Sequence, residues 1–583
     1  MIVYGDGPRH EDPRAKLAAL AAALRDLPAQ PPRLARHAAL IGALIEAGEL
    51  AQALADAGFA ERGLDAPSPA EAAAMALLMA VAKSAWLSWQ SGFTRIDSVP
   101  EAEVATLAAH PLPESVEPRR AEGFAYYALY PEAYGLAAAA LPPSPRVIGL
   151  RSIGTPLAAM VAAARGTAAP VTVRPVGHPF RRELALDPGL VAALLAGDDI
   201  SYAVVDEGPG LSGSSFGAAM NFLQEGGVDL TRIHLLPGHG GAPGPEAGEA
   251  ARARWDRVAR HPASFENLLL DGARAEHRLE EWAAALLGPA EAPMEEISGG
   301  AWRARRFPSE ADWPPIHPFM ERRKFLFPAQ GSTWLLKFAG LGRHGEAAAA
   351  RARHLHAAGF TPQPAGLLHG FLVERWMEEA RPLDPGRADR PALLAHLGRY
   401  LGFRARSMPA EAGAGAEMLL AMARQNAGEA LGEAAAARLD RWKPHLPALD
   451  SATRRVWTDN RLHAWEWLVL PNGRLLKADA VDHAAAHDLI GAQDIAWDLA
   501  GAASELGLTA PEREALAASV GREAGRAVDP SLLTFLTPCY LAFQLGYHAM
   551  AADALGWNPT EAGRARTAAA HYAEALDHAL RHG

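Results

Sequence analysis

Between residues 146 and 238 short β-branched runs alternate with alanine-rich runs of helical spacing, and nothing else in the chain constrains its fold as tightly. RVIGL (146–150), VTVRPV (171–176), YAVVD (202–206) and RIHLLPG (232–238) read as strands. PLAAMVAAARG (156–166), LVAALLAG (190–197) and SFGAAMNFLQEGG (215–227) read as the helices between them. Strands separated by helices of this length predict a parallel, doubly wound sheet, because a parallel connection needs a crossover. In such sheets ligands gather beyond the carboxyl ends of the strands.

The stretch VVDEGPGLSGSS (204–215) falls at such an end. Two β-branched residues run into the carboxylates Asp206 and Glu207, and a loop of small residues follows before the next helix. Backbone N–H groups at a helix N-terminus attract anions, and Ser212, Ser214 and Ser215 add hydroxyl donors. Gly208, Gly210 and Gly213 permit the backbone to approach a ligand closely. The carboxylates suit sugar hydroxyls, or a magnesium ion bound beside them. A ligand with ribose hydroxyls and a phosphate would use both halves. A plain strand-to-helix turn is the bland alternative.

The flanks have different patterns. Residues 1–119 read as helical, with apolar residues three and four apart in LARHAALIGALIEAGELAQALADAGF and with Gly48 and Gly58 as expected stops. EAARARWDRVARHPASFENLLLDGARAEHRLEEWAAALL (249–287) reads as a closing helix, and GPAEAPMEE (288–296) as a linker. Beyond it STWLLKFAG (332–340), LLHGFLVERWM (367–377), EWLVL (466–470) and RLLKADA (474–480) read as strands around a largely helical 385–445. The expected domains are therefore 1–119, 120–288 and 289–583. Lys337 lies on an apolar strand and needs an anionic partner; Glu346, at the start of the next helix, is the nearest candidate.

Composition excludes several classes. The formal net charge of −11 argues against a general nucleic-acid binder, which needs a concentrated basic surface. The single cysteine, Cys539, excludes an intramolecular disulfide and a cysteine-rich zinc site. The N-terminus lacks an apolar signal-peptide core, and the richest apolar run, AMALLMAVAKSAWLSW, is interrupted by Lys83. The expectation is a cytoplasmic protein without a membrane span.

Two resemblances follow. VVDEGPGLSGSS resembles the signature of type I phosphoribosyltransferases, an apolar strand, two acids and a Ser/Thr-Gly loop, over roughly residues 120–240. That resemblance implies Asp206 and Glu207 on the ribose hydroxyls of phosphoribosyl pyrophosphate, with catalytic and magnesium-binding roles. It implies Gly210, Ser212, Gly213, Ser214 and Ser215 around the 5′-phosphate. LRSIGTPLAAMV resembles the family's pyrophosphate loop, implying contacts from Arg151, Ser152, Ile153 and Gly154. HPFRRELAL resembles its hood, implying Arg181 and Arg182 on the leaving pyrophosphate. The loop is one residue longer than the common pattern, and serines replace threonines.

LVERWMEEARPL, RVWTDNRL, LLKADAVDH and DIAWDLAGA, in that order, resemble aminoglycoside- and choline-kinase-like phosphotransferases. This resemblance implies Lys337 on ATP phosphates with Glu346 orienting it, Asp459 as catalytic base, Asp479 as magnesium ligand and Asp498 as a structural residue. Trp457-Thr458-Asp459 replaces the family's His-Gly-Asp, and Ala464 stands where an asparagine is usual, leaving Asn460 or Glu466 as substitutes. No strong glycine-rich nucleotide loop precedes Lys337; Ser298-Gly299-Gly300 is a weak candidate for one. His483 and His487, four apart in VDHAAAHD, would share a helical face and offer a metal site; hydrogen-bonded histidines are the plainer reading.

The expected fold class is multidomain α/β and α+β: a helical N-terminal region, a phosphoribosyltransferase-like parallel sheet and a kinase-like C-terminal domain. The expected function is a bifunctional transferase, Mg²⁺-dependent phosphoribosyl transfer from phosphoribosyl pyrophosphate to a small-molecule acceptor, coupled to ATP-dependent phosphorylation. The alternative is a nucleotide-sensing regulator with a pseudokinase-like module. Homo-oligomer formation stays open at this level.

Overall fold

The computed structural model describes residues 1–5, 9–317 and 320–582. Four helices open the chain: α1 (Pro13–Asp26), α2 (Leu34–Arg62), α3 (Pro69–Gln90) and α4 (Glu101–Ala109). By length and composition alone α2 and α3 are both long and apolar enough to cross a membrane, a test that the core helices of globular folds also pass, and most of the apolar stretch of α2 is buried within the fold. α2 does not stop at Gly48 or Gly58 but runs to the left-handed Gly63. Gly48 instead marks a close crossing: a Cβ there would lie 2.7 Å from the Cβ of Pro156.

Two short helices, α5 (Glu122–Tyr126) and α6 (Pro131–Ala137), lead into the α/β region. There β1 (Arg146–Leu150), α7 (Gly154–Arg165), β2 (Val171–Val173), the hairpin β3 (Pro175–His178) and β4 (Arg181–Leu184), α8 (Pro188–Leu195), β5 (Tyr202–Val205), α9 (Ser214–Glu225) and β6 (Ile233–Leu236) follow in turn. α10 (Glu249–Arg257) and β7 (Ala259–Arg260) complete a five-stranded sheet of order β2-β1-β5-β6-β7, parallel throughout. The 171–176 run is thus two strands, because Arg174 leaves the sheet to bind Asp56 and Asp65 of the N-terminal region. The expected helix over 249–287 is broken after α10, where the chain adds β7 and reaches Pro262; α11 (Leu279–Leu287) resumes it.

The C-terminal region starts with a second five-stranded sheet, antiparallel, of β8 (Glu295–Glu296), β9 (Lys324–Ala329), β10 (Ser332–Phe338), β11 (Pro364–Leu368) and β12 (Phe371–Arg375) in the order β11-β12-β10-β9-β8. α12 (Arg343–Ala357) packs behind it. LLHGFLVERWM, expected as one strand, is a hairpin that turns at His369-Gly370, both at positive φ. β13 (Arg381–Pro382), α13 (Arg390–Ser407), β14 (Arg455–Val456), β15 (Trp467–Val469) and β16 (Leu475–Lys477) then build the face opposite the sheet. Long helices, Pro530–Ala554 and Pro559–His582 among them, close the lobe.

The regions are not strung apart. One apolar core holds residues of α1–α3, one face of the parallel sheet, and Phe325, Phe338 and Phe371 of the antiparallel sheet. Val3 is fully buried in the C-terminal core, where its carbonyl accepts the Leu489 N–H at 2.9 Å. Arg343 of α12 reaches back to Glu46 and Glu49 of α2, with Nη2–Oε1 of Glu49 at 2.7 Å.

Candidate functional site

The paired carboxylates stand at the mouth of β5, the middle strand. Gly154 lets α7 start close against that strand, since a Cβ there would lie 2.7 Å from the Val205 carbonyl oxygen. The Asp206 carbonyl accepts the Tyr134 hydroxyl at 2.9 Å, and its Oδ1 accepts the Glu207 N–H at 2.9 Å. Glu207 Oε2 accepts the Gly123 N–H at 2.9 Å. No cation contacts either carboxylate within ion-pair distance among the described residues. Burial raises Asp206 to about 7, and burial with the neighbouring Asp206 charge raises Glu207 to about 8.

The loop after them turns at Gly210 and Gly213, both at positive φ, and Gly213 caps α9. Ser212 Oγ donates to Ser214 Oγ at 3.0 Å, and Ser214 Oγ donates to the Pro179 carbonyl at 2.6 Å. The β3–β4 hairpin is thereby drawn over the loop. Together these parts wall a cavity of about 1410 Å³, with Ser152, Ile153, Arg182, Asp206, Glu207, Gly210, Ser212, Ser214 and Ser215 on its surface.

Three expectations for this cavity change. Arg151 borders the cavity, but its guanidinium is committed elsewhere: the side chain is 1% exposed and bound to Asp65 and, at 2.8 Å, to Asp56. Its guanidinium is a structural tie between α2 and the sheet, not a free pyrophosphate ligand. Arg181 is exposed and does not line the cavity, whereas Arg182 does. Gly154 serves packing. The structure adds cations that sequence reading missed, Arg9, Arg119, Arg120 and Arg323, all on the cavity wall. PRRAEG offered Arg119 and Arg120 just before the first cavity helix, but only folding brings Arg9 and Arg323 to them.

The second site is a cleft of about 180 Å³ between the antiparallel sheet and β15–β16. Lys337 of β10 is buried and bonds Asp479 and, at 2.9 Å, Asp482 Oδ1. These charges hold Lys337 above its usual range and Asp479 below its own. Glu346 is not the partner: it sits on the exposed face of α12. Burial raises Glu374, also in the cleft wall, to about 7.

Asp459 lies behind the wall, 1% exposed. Tyr400 donates to its carboxylate, Arg404 Nη2 and Lys477 Nζ each stand 3.3 Å away, and His483 Nδ1 lies at 3.7 Å. Burial opposes its charge, but Lys477 and Arg404 keep its pKa well below the usual range. Asp498 has the structural role expected of it, accepting the N–H groups of Asp459 at 2.7 Å and Asn460 at 3.0 Å. Asn460 donates to the Gly491 carbonyl at 3.0 Å, and Glu466 accepts from Lys477 at 2.6 Å.

Other expectations for this region are revised. His483 and His487 share no helix; His483 is in a one-turn 3₁₀ segment and His487 lies beyond it, 2.9 Å from the Tyr127 hydroxyl and 3.1 Å from Glu122. Ser298 does not cover the cleft but pins the Lys324 N–H at 2.9 Å. Sequence reading missed Arg306, which lies 3.7 Å from the Trp376 ring centroid and donates to the carbonyls of Met377 at 2.6 Å and Ala380 at 3.2 Å.

Hard carboxylate oxygens suit magnesium in both sites. Asp206 and Glu207 form one such pair. In the cleft Asp479 and Asp482 form another, and Asp482 Oδ2 is buried without a hydrogen-bond partner. The two sites adjoin, for Tyr127 lines both.

The C-terminal half is thus a two-lobed, mixed sheet-and-helix structure with a lysine–aspartate cleft between its lobes. It is similar, at 15% identity and a TM-score of 0.32, to a choline kinase from Streptococcus pneumoniae, over 43% of this chain and 89% of that one. A spectinomycin phosphotransferase solved with ADP and spectinomycin has 13% identity and a TM-score of 0.32, over 52% and 97%. A type I macrolide 2′-phosphotransferase has 16% identity and a TM-score of 0.31, over 50% and 94%. No family model and no curated protein sequence matches the chain.

Proposed function

We propose that the chain is a two-site transferase. The α/β cavity takes phosphoribosyl pyrophosphate with Mg²⁺ and passes the phosphoribosyl group to a small-molecule nucleophile; the C-terminal cleft takes Mg-ATP and phosphorylates a small molecule. One observation carries the first part: paired carboxylates without a cation partner face the same cavity as the serine loop at the start of α9. Sugar hydroxyls would donate to the carboxylates while the loop's N–H and hydroxyl groups hold a phosphate. Departing pyrophosphate would meet Ser152 and Arg182, which line the same cavity. Lys337, buried beside Asp479 and Asp482, supports nucleotide binding in the cleft.

A second reading, a nucleotide-sensing regulator, is favoured by the caging of Asp459 between Tyr400, Arg404 and Lys477, which leaves it no open face toward an acceptor. Thermal shift assays test the binding common to both. Mg-phosphoribosyl pyrophosphate and Mg-ATP should each raise Tm, as ligands of the folded state do. Ser214→Asp should remove only the first shift and Lys337→Met only the second. Absence of the first shift in the wild type would sink the phosphoribosyl reading. Both shifts without pyrophosphate or ADP formation would favour the regulator.

A further inference from the structure

Behind the wall of the α/β cavity to which Tyr130 and Ala133 contribute, three residues from separate parts of the chain meet in the common core: His37 of α2, Glu132 of α6 and His369 at the β11–β12 turn. All three are buried, Glu132 completely. His37 Nε2 and His369 Nε2 both point at one oxygen, Glu132 Oε1, each at 2.8 Å. Glu132 Oε2 is buried with no hydrogen-bond partner at all.

A hydrogen-bonded trio would be better satisfied with one imidazole on each carboxylate oxygen, since an orphaned buried acceptor forfeits its hydration. Convergence of two imidazole nitrogens and a carboxylate, all ligand atoms within 4.8 Å of one another, is instead the donor arrangement of a cation site. The surroundings fit that use. His37 Nδ1 is 3.0 Å from Ser88 Oγ, which can accept from a protonated Nδ1 and so leave Nε2 to ligate. The His369 carbonyl accepts the Tyr130 hydroxyl at 2.8 Å, which holds the turn in place. Trp89, Phe93 and Trp282 lie against the two rings and keep water away.

We propose that His37, Glu132 and His369 bind a zinc ion that ties the N-terminal helices, the α/β region and the antiparallel sheet together. Imidazole with carboxylate is a zinc donor set, and the partnerless Oε2 supplies a fourth ligand atom by bidentate coordination. The site is structural, because all three of its ligands are buried. It is independent of the transferase reading.

The test uses the untagged full chain, expressed in zinc-supplemented medium and purified without chelator. Elemental analysis should find about one zinc per chain, as for a closed structural site. Heating with a chelator should lower Tm by several degrees, and added zinc should restore it. Glu132→Gln should lose the metal, whereas His483→Ala, in the cleft, should retain it. Because Glu132→Gln could fail to fold, the wild type is also grown with Co²⁺, whose visible absorption reports nitrogen and oxygen ligands directly. Less than about a tenth of an equivalent of zinc in the wild type, with none taken up from a chromophoric chelator, would overturn the proposal. Loss of the zinc in His483→Ala would overturn it too.

Discussion

Asp206 and Glu207 carry the most consequential charges in the α/β cavity. Their pKa values are raised to about 7 and about 8, chiefly by burial. The folded chain therefore binds more protons than the unfolded one between the unfolded carboxylate range and these values. Their contribution to stability is complete below about pH 4 and is lost as pH rises through about 7 to 8. Tm measured from pH 5 to 8.5 should fall less steeply in an Asp206→Asn, Glu207→Gln double variant than in the wild type; identical slopes would contradict the assignment. In the cleft, Lys337→Met leaves Asp479 and Asp482 facing each other without their cation, and should cost about 3–5 kcal/mol in urea unfolding. The need for an anionic partner was legible in the apolar strand around Lys337. The partner's identity was not, because Asp479 and Asp482 are more than 140 residues away and Glu346 was merely near in sequence.

At the scale of elements, periodicity located the four longer parallel-sheet strands and their crossover helices well, because buried strands and amphipathic helices write their spacing into the chain. It failed where tertiary contacts decide. Gly48 looked like a helix stop but lets α2 cross α7 against Pro156. Gly48→Ala would gain roughly 1 kcal/mol of helix propensity. Overpacking a rigid proline costs about 1–3 kcal/mol, so the variant should be less stable by urea denaturation; a stabilised variant would show that the crossing yields. LLHGFLVERWM read as one strand because its apolar run hides the turn at His369-Gly370. Arg151 occupied the right loop for a phosphate ligand, yet Asp56 and Asp65, from a helical region with no visible chemistry, claim its guanidinium. That pairing has no local signal in the sequence.

Across the whole molecule, the α/β cavity and the cleft share the wall formed by Tyr127, and the segment that carries it is tied to both. Glu207 accepts the Gly123 N–H at one end of α5, while Tyr127 and Glu122 contact His487, between Asp482 and the following loop. Such placement was beyond sequence reading, which saw two resemblances side by side and no geometry between them. The central claim is that the α/β cavity binds phosphoribosyl pyrophosphate through its two carboxylates and the serine loop. Calorimetric titration of the wild type with Mg-phosphoribosyl pyrophosphate near pH 6.5, repeated in buffers of different ionisation enthalpy, tests it most directly. Carboxylates that ionise to accept sugar hydroxyls or a cation release protons, so the expected result is saturable binding with a buffer-dependent heat, weakened at least about tenfold, or 1.4 kcal/mol, in Asp206→Asn. No saturable heat in any buffer, or equal affinity in Asp206→Asn, would contradict it.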